Sequence, residues 1–163
     1  MSRRLVLGLD PAYRGGVGYG LVTVDGEVYD LGYAHYDEEN EFERQVERAI
    51  ETIPHADQVV ALVVERIAGG RGVQSLLKVS DAAGVTAGVA ARTWPEATLW
   101  RPSPAEWKRA AGLPGNARKD DVAERAFELA PWIHPAIPRQ DTLDAILMAY
   151  AESAEIRRVV GDA

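Results

Sequence analysis

Four acidic residues occupy positions where a carboxylate is costly unless it binds something. Asp10 and Glu65 each end a run of apolar residues that is typical of a buried strand. Asp141 and Asp144 lie three residues apart at the start of a predicted helix, so their side chains share one face. Because a buried, unpaired carboxylate is unfavourable, we expect these four side chains to meet and share divalent cations.

Carboxylate oxygens suit hard cations, so the expected cofactor is Mg²⁺, bound as two ions, with Mn²⁺ able to substitute. Two such ions can activate a water molecule and stabilise the departing oxygen of a phosphodiester, which predicts hydrolysis of nucleic acid. The four acids are then both metal ligands and catalytic residues. Lys108 and Lys119 are the predicted cations beside the scissile phosphate, where they would stabilise transition-state charge.

Each candidate also has an ordinary structural role open to it. Asp10 can cap a turn, and Glu65 can form a surface ion pair with its neighbour Arg66. The two helix acids can lie at a helix start because the helix dipole favours negative charge there. The two lysines can be solvated or can merely position phosphates. The tryptophans are expected to be core or half-buried residues rather than base-stacking groups: Trp94, Trp100, Trp107 and Trp132.

Hydrophobic periodicity predicts the elements that must position these residues. Strands are predicted at 5–10, 17–24, 27–34, 59–64 and 98–101, and helices at 38–53, 73–91, 106–111, 118–130 and 141–159. Asp25-Gly26 is a hairpin signal, so the first three strands should form an antiparallel meander. The fourth strand follows a helix and should run parallel to the first. The predicted architecture is a single α/β domain over residues 1–163, with a mixed five-stranded sheet flanked by helices.

Charge is distributed unevenly along an acidic chain whose formal net charge is −7. Residues 20–65 carry a net charge of −10, whereas residues 66–119 carry +6. This asymmetry is typical of a basic face on an acidic protein and favours a DNA partner, although both halves could equally be solvated charge. The predicted DNA-binding residues are Arg66, Arg71, Lys78, Lys108, Arg109, Arg118 and Lys119.

Composition limits the class and location of the protein. The chain contains no cysteine, which excludes disulfides and thiolate zinc sites. No apolar run approaches the roughly 18 residues of a membrane span, and no signal peptide is evident, so a cytoplasmic location without a membrane partner is expected. Small residues line the helix predicted at 73–91, where they would let a second copy of the chain approach closely: Ala83, Gly84, Ala87, Gly88 and Ala91.

Several local motifs resemble one nuclease family across nearly the whole chain. The order βββ-α-β, with acids ending strands one and four and beginning the last helix, resembles the RNase H-like fold. Within that fold the chain resembles the RuvC-type Holliday junction resolvases. The motifs that carry this resemblance are Gly-Leu-Asp-Pro at 8–11, Val-Val-Glu at 63–65, Lys78-Val79, Trp107-Lys108, Gly112 through Gly115, Ala117-Arg118-Lys119-Asp120-Asp121-Val122 and Asp141-x-x-Asp144-Ala145.

The resemblance implies a Mg²⁺-dependent homodimeric endodeoxyribonuclease that resolves four-way DNA junctions by paired, symmetric nicks. It also implies the catalytic set Asp10, Glu65, Asp141 and Asp144, assisted by the two lysines.

The chain departs from the family pattern in three respects. Ala12 replaces the glycine that usually follows Asp-Pro, and residues 66–72 contain no aromatic residue where the family has aromatics that open the junction. The isoelectric point is about 5.0, which is acidic for a DNA-binding protein. A divergent or phage-type member would fit these features. Two alternatives stay open: a nuclease of the same fold acting on flap or other branched DNA or on structured RNA, and a non-catalytic junction-binding module.

Overall fold

The computed structural model of the protein describes residues 3–37, 40–66, 73–134 and 138–161. Within these ranges the strands and α-helices follow one another in the predicted order. The strands are β1 (Leu5–Pro11), β2 (Gly16–Thr23), β3 (Val28–His35), β4 (Val59–Val64) and β5 (Thr98–Trp100). The α-helices are α1 (Phe42–Glu51), α2 (Val73–Thr93), α3 (Pro104–Ala110), α4 (Lys119–Leu129) and α5 (Gln140–Gly161).

The sheet is mixed, with strand order β3-β2-β1-β4-β5. β1 pairs antiparallel with β2, which pairs antiparallel with β3, so the predicted meander is confirmed. The turn between β2 and β3 contains Gly26 at φ 96°, a conformation that glycine adopts readily. β1 pairs in parallel with β4, and β4 pairs in parallel with β5, as the intervening helices predict. The structure is therefore the expected RNase H-like α/β fold.

Two hydrophobic cores lie on opposite faces of the sheet. Leu5, Leu7 and Leu9 of β1 alternate toward one face, where they belong to a core that includes residues of α1 and α2. Val6 belongs to the other core, with Trp107 of α3 and residues of α4 and α5. This alternation is the two-residue period of a strand buried on both faces. β1 is thus covered by helices on both sides and is held firmly in place.

Helix α5 lies directly on the backbone of the two central strands. A Cβ atom added to Gly18 would lie 2.4 Å from the carbonyl carbon of Asp141, and one added to Gly8 would clash with the carbonyl oxygen of Ala145. Gly20 is similarly close to the backbone of Ile146. Because no side chain separates helix from sheet here, glycine is needed for this approach.

Some element boundaries differ from the sequence-based expectation. α1 begins at Phe42 rather than residue 38, and Glu41 precedes it without a side-chain capping hydrogen bond. Residues 38 and 39 fall outside the described ranges. α3 begins at Pro104, earlier than predicted, because the Ser103 N–H donates to Glu106 Oε2 at 2.6 Å and starts the helix.

The small residues of α2 lie on two faces of the helix, not on a single face. Ala83 and Ala87 are buried against the sheet, whereas Gly84 is exposed and has no atom within 4 Å of an added Cβ. Leu77 is exposed to 57%.

Trp132 is exposed to 61%, so the expectation of burial is wrong for this residue, whereas Trp94 and Trp107 are buried. None of the described helices is long and apolar enough to span a bilayer.

Candidate active site

Asp10 and Glu65 lie beside each other at one edge of the sheet. Leu9 pairs with Val64 in the parallel register of β1 and β4, and each acid directly follows its member of that pair. Both side chains are partly buried. The sequence prediction that two parallel strands end in neighbouring acids is therefore confirmed at the level of the backbone.

Asp141 is brought to the same edge by the close contact of α5 with β2. Gly18, the glycine on which Asp141 rests, is the antiparallel register partner of Asp10. Asp144 follows one helical turn later and is also partly buried. Helix α5, which carries Asp141 and Asp144, thus packs on Gly18, the residue that pairs with Asp10.

Acids from two elements lie close enough to Tyr33 to affect its pKa. Burial raises the pKa of Tyr33 above its ordinary value, and the charges of Asp141 and Asp10 raise this pKa further. The Arg139 guanidinium lies 4.1 Å from the centre of the Tyr33 ring and acts in the opposite direction. A tyrosine and an arginine therefore border the acids, and sequence reasoning did not identify either of them.

Burial also raises the pKa of both helix acids. For Asp141, desolvation is the main cause, and the positive charges of Lys119 and Arg139 act against it. For Asp144, desolvation again dominates, and it is opposed by a hydrogen bond from Gln140 and by the charges of Lys108 and Lys119. Protein cations therefore compensate these carboxylates only in part.

The carboxylates are engaged with local donors. Trp107 Nε1 donates to Glu65 Oε2 at 2.5 Å, and Gln140 Nε2 donates to Asp144 Oδ1 at 2.8 Å. Among the residues that the structure describes, no three acidic or histidine side chains converge closely enough to form a metal-binding group. Two of the four acids thus accept hydrogen bonds from separate local donors.

The donor chemistry at this edge fits a hard divalent cation. The candidate ligands offer carboxylate oxygens, which Mg²⁺ and Mn²⁺ prefer. Burial raises the pKa of Asp141 and Asp144, so a bound cation would stabilise their ionised forms. Asp10, Glu65, Asp141 and Asp144 are the residues that would hold such an ion.

Both predicted catalytic lysines lie near the helix acids. Lys108 Nζ donates to the Ala117 carbonyl at 2.9 Å and lies 5.5 Å from the centre of the Trp107 ring. Lys119 is exposed at the first position of α4, and its charge acts on Asp141 and Asp144. Lys108 therefore also fixes the loop that precedes α4, whereas Lys119 is open to solvent.

The other predicted DNA-binding cations that the structure describes belong to several elements. Arg66 is exposed and pairs with Glu106 at 3.5 Å. Arg109 and Arg118 are exposed near the loop between α3 and α4. Lys78 of α2 lies 5.4 Å from the centre of the Tyr13 ring. Arg71 lies outside the described residues.

Trp107 and Gln140 are site residues whose contacts the sequence did not indicate. Trp107 reaches Glu65 across 42 positions of sequence, and no local pattern predicts such a contact. Gln140 is four residues before Asp144, a helical spacing that could have identified it.

Comparison with known proteins identifies the fold. A scan against models of protein families found no match, and a search of curated proteins found none. Among solved structures, the chain is similar to Thermus thermophilus RuvC, with a TM-score of 0.71, 20% identity and 96% of each chain covered. It is also similar to T. thermophilus RuvC in complex with Holliday junction substrate, with a TM-score of 0.75, 20% identity and 96% of each chain covered. The resemblance expected from the sequence is confirmed at the level of fold: the chain has the RuvC fold over nearly its whole length.

Proposed function

We propose that this chain is a metal-dependent, structure-selective endodeoxyribonuclease that resolves four-way DNA junctions by paired symmetric nicks. The observation that carries the proposal is the meeting of three elements at one sheet edge. β1 and β4 end there in Asp10 and Glu65, and α5 contacts Gly18 beside them through Asp141. The RuvC fold, which one neighbour presents in complex with a Holliday junction, supports the substrate.

The chemistry follows from the donor set. Two Mg²⁺ ions held by the four acids would supply charge stabilisation and an activated water for phosphodiester hydrolysis. Trp107 orients Glu65 through its indole N–H, and Gln140 orients Asp144 through its amide. Lys119, exposed beside the helix acids, neutralises charge on the substrate phosphate. Lys108 holds the Ala117 carbonyl and so positions Lys119 at the start of α4.

Paired nicks require two copies of the site related by symmetry. The outward face of α2 supports a homodimer, because Leu77 is exposed to 57% there and Gly84 leaves room for a close neighbour. An isologous contact across a two-fold axis would present both acid edges to one junction.

The test is a nicking assay that compares a four-way junction, a flap, a linear duplex and an RNA hairpin, with Mg²⁺ or with chelator. We expect metal-dependent, paired nicks in the junction. Asp10→Asn should lower the nicking rate by at least about 100-fold. Removing a metal ligand should cost more activity than removing a residue that only orients a ligand, which typically costs about 10–100-fold. Asp57→Asn, at the exposed opposite end of β4, is the matched control and should leave the rate unchanged.

One sequence feature favours a second candidate function. Residues 66–72 contain no aromatic residue to open a junction, so a nuclease of the same fold could prefer flap DNA or structured RNA. Faster cleavage of those substrates would replace the junction proposal. Binding of the junction without cleavage under any metal would instead indicate a non-catalytic binding module.

A further inference from the structure

An exposed aromatic ring lies in the turn that follows Asp10. Tyr13 is exposed to 42%, and its ring stacks on Phe42 at a centroid distance of 6.0 Å and an interplanar angle of 29°. Phe42 in turn contacts Tyr36 edge to face at 5.4 Å. Tyr13 thus forms the outer member of an aromatic stack that continues into the core.

The backbone around Tyr13 is held in a defined position. The hydroxyl of Tyr36 donates to the Ala12 carbonyl at 3.0 Å, and the Ala12 N–H donates to the Gly16 carbonyl at 3.0 Å. The Tyr36 N–H donates to the Gly15 carbonyl at 2.9 Å. Ordering of the ring therefore costs little when a planar ligand stacks on it.

The tyrosine ring is bordered by positive charge. Lys78 Nζ lies over the Tyr13 ring, 5.4 Å from its centre, so a stacking base would take the place of this ammonium group, and Arg14 is the exposed neighbour of Tyr13 in sequence. Within the described ranges, neither cation forms an ion pair with a carboxylate. Both are therefore available to a ligand that carries negative charge.

Two acids of α1 and one in the segment before it form ion pairs. Glu43 and Glu47 both accept from Arg92, at 2.5 and 3.2 Å, and Asp37 pairs with Arg48 at 2.6 Å. These pairs reduce the negative field that α1 would otherwise present to an anionic ligand.

A cavity of about 380 Å³ opens at this ring, lined by Tyr13, Arg14, Phe42 and Gln45. This volume lies in the range of small-ligand sites, and it combines a stacking surface, a side-chain amide and a guanidinium. These groups match a nucleotide: the ring stacks on a base, the amide meets a base edge, and the cations meet the phosphates. A peptide ligand would explain the ring but not the two cations beside it, for which the described part of the chain supplies no carboxylate partner.

We propose that this Tyr13 pocket holds one unpaired nucleobase of the DNA substrate, with Arg14 and Lys78 on its flanking phosphates. The inference rests on the proposed function, because it assigns a subsite to the same substrate. Tyr13 is three residues from Asp10, so the Cα atoms of the two residues lie within roughly 10 Å of each other. The pocket would therefore hold unpaired strand close to the phosphate that is cut.

The binding test uses Tyr13→Leu, which keeps apolar cover on Phe42 but removes the aromatic face, and Tyr13→Phe, which keeps the ring. Fluorescence anisotropy measures affinity for a single-stranded thymidine oligonucleotide and for a linear duplex. We expect Tyr13→Leu to lose roughly 10-fold in single-strand affinity and Tyr13→Phe to retain it. Duplex affinity should be equal in all three proteins. Thermal unfolding of each variant separates lost folding from lost binding.

A second readout reports the base itself. A junction with 2-aminopurine at the branch point should change its fluorescence on binding wild type and Tyr13→Phe, but not on binding Tyr13→Leu. Arg14→Gln and Lys78→Gln should each lower single-strand affinity. Each should also reduce by about one the slope of log affinity against log salt concentration. Arg158→Gln, at the far end of α5, should change neither quantity.

The outcomes separate this inference from the proposed function. If the protein nicks junctions and Tyr13→Leu binds single strands as tightly as wild type, the pocket is wrong and the nuclease stands. If Tyr13 governs single-strand binding but no branched substrate is nicked, the nuclease is wrong and the pocket stands. Equal loss of single-strand and duplex affinity in Tyr13→Leu would also overturn the pocket.

Discussion

Trp107 donates its indole N–H to Glu65, one of the candidate metal ligands. It is buried, with 1% exposure, and its N–H donates to Glu65 at 2.5 Å. Replacement with phenylalanine keeps an aromatic ring in the core but removes the donor, so Glu65 loses its orientation. We expect Trp107→Phe to lower junction cleavage by about 10–100-fold while the protein stays folded.

The measurement for Trp107→Phe is the nicking rate as a function of Mg²⁺ concentration, together with a thermal unfolding curve. A positioning role predicts that higher Mg²⁺ recovers part of the rate. Trp132→Phe, at an exposed tryptophan, is the matched control and should behave as wild type. An unchanged rate in Trp107→Phe would contradict a role for this hydrogen bond.

Asp144 should make the stability of the metal-free protein depend on pH. Burial raises its pKa in the folded state, so the folded protein binds this proton more tightly than the unfolded chain does. The contribution of protonated Asp144 to the free energy of unfolding is therefore fully present below the ordinary carboxyl pKa of about 3.9. This contribution is lost as pH rises through the raised pKa of the folded state. Asp144→Asn removes the charge and keeps an oxygen that can accept from Gln140.

We expect Asp144→Asn to raise Tm at neutral pH in the presence of chelator, by about 2–4 °C for each kcal/mol gained. The gain should shrink as pH falls toward the ordinary carboxyl pKa. Thermal unfolding across a pH series measures this difference, with the exposed Asp81→Asn as a control that should show none. A variant that is less stable than wild type at every pH would refute the expectation.

At the scale of elements, sequence patterns predicted nearly all of the architecture. Alternation along the strands, the Asp25-Gly26 turn and the helical periods each predicted an element that the structure confirms. The start of α1 was predicted too early because acidic residues favour both a first helical turn and the loop before it. The edge that Asp10 and Glu65 share followed from strand direction alone, whereas donors such as Trp107 depend on packing between distant segments.

The contact between α5 and β2 predicts a specific effect of one methyl group. A Cβ at position 18 would lie 2.4 Å from the Asp141 carbonyl carbon, so Gly18→Ala must move the helix or the strand. We expect a loss of stability of about 1–3 kcal/mol from overpacking, and displacement of Asp141. Denaturant unfolding measures the first effect, and the nicking rate at saturating Mg²⁺ measures the second.

Gly84→Ala provides the matched comparison for Gly18→Ala. An added methyl group there meets nothing within 4 Å, and alanine favours a helix interior by about 1 kcal/mol over glycine. At a protein concentration too low for association, this variant should be as stable as wild type or more so. If both alanine variants behave alike, close packing of α5 is not what requires glycine at position 18.

At the scale of the whole molecule, the outward face of α2 predicts association. We expect wild type to sediment as a dimer at micromolar concentration. Gly84→Arg should shift the protein toward monomer, because a long charged side chain would occupy the space between two helices. Glu124→Arg, an exposed change on α4, should leave the dimer intact. A wild-type monomer, both alone and with junction DNA, would contradict the homodimer.

The uneven charge of the chain predicts a steep salt dependence despite the net charge of −7. Each phosphate contact contributes a slope of about −0.9 to the logarithm of affinity against the logarithm of salt concentration. Arg118→Gln should therefore reduce the slope for junction binding by about one, as measured by anisotropy between low and physiological salt. Affinity that barely changes with salt would exclude a basic binding face.

The two cores on opposite faces of the sheet assign the helices of the two proposed sites to separate layers. Helical residues of the candidate active site come from α3, α4 and α5, on one face. The helical residues around Tyr13 and the outward face of α2 belong to the layer of α1 and α2 on the other. The five-stranded sheet separates these two layers of helices. Under the proposed function, repacking of α1 and α2 would therefore change which substrate shape is bound, while Asp141 and Asp144 stay on the other layer.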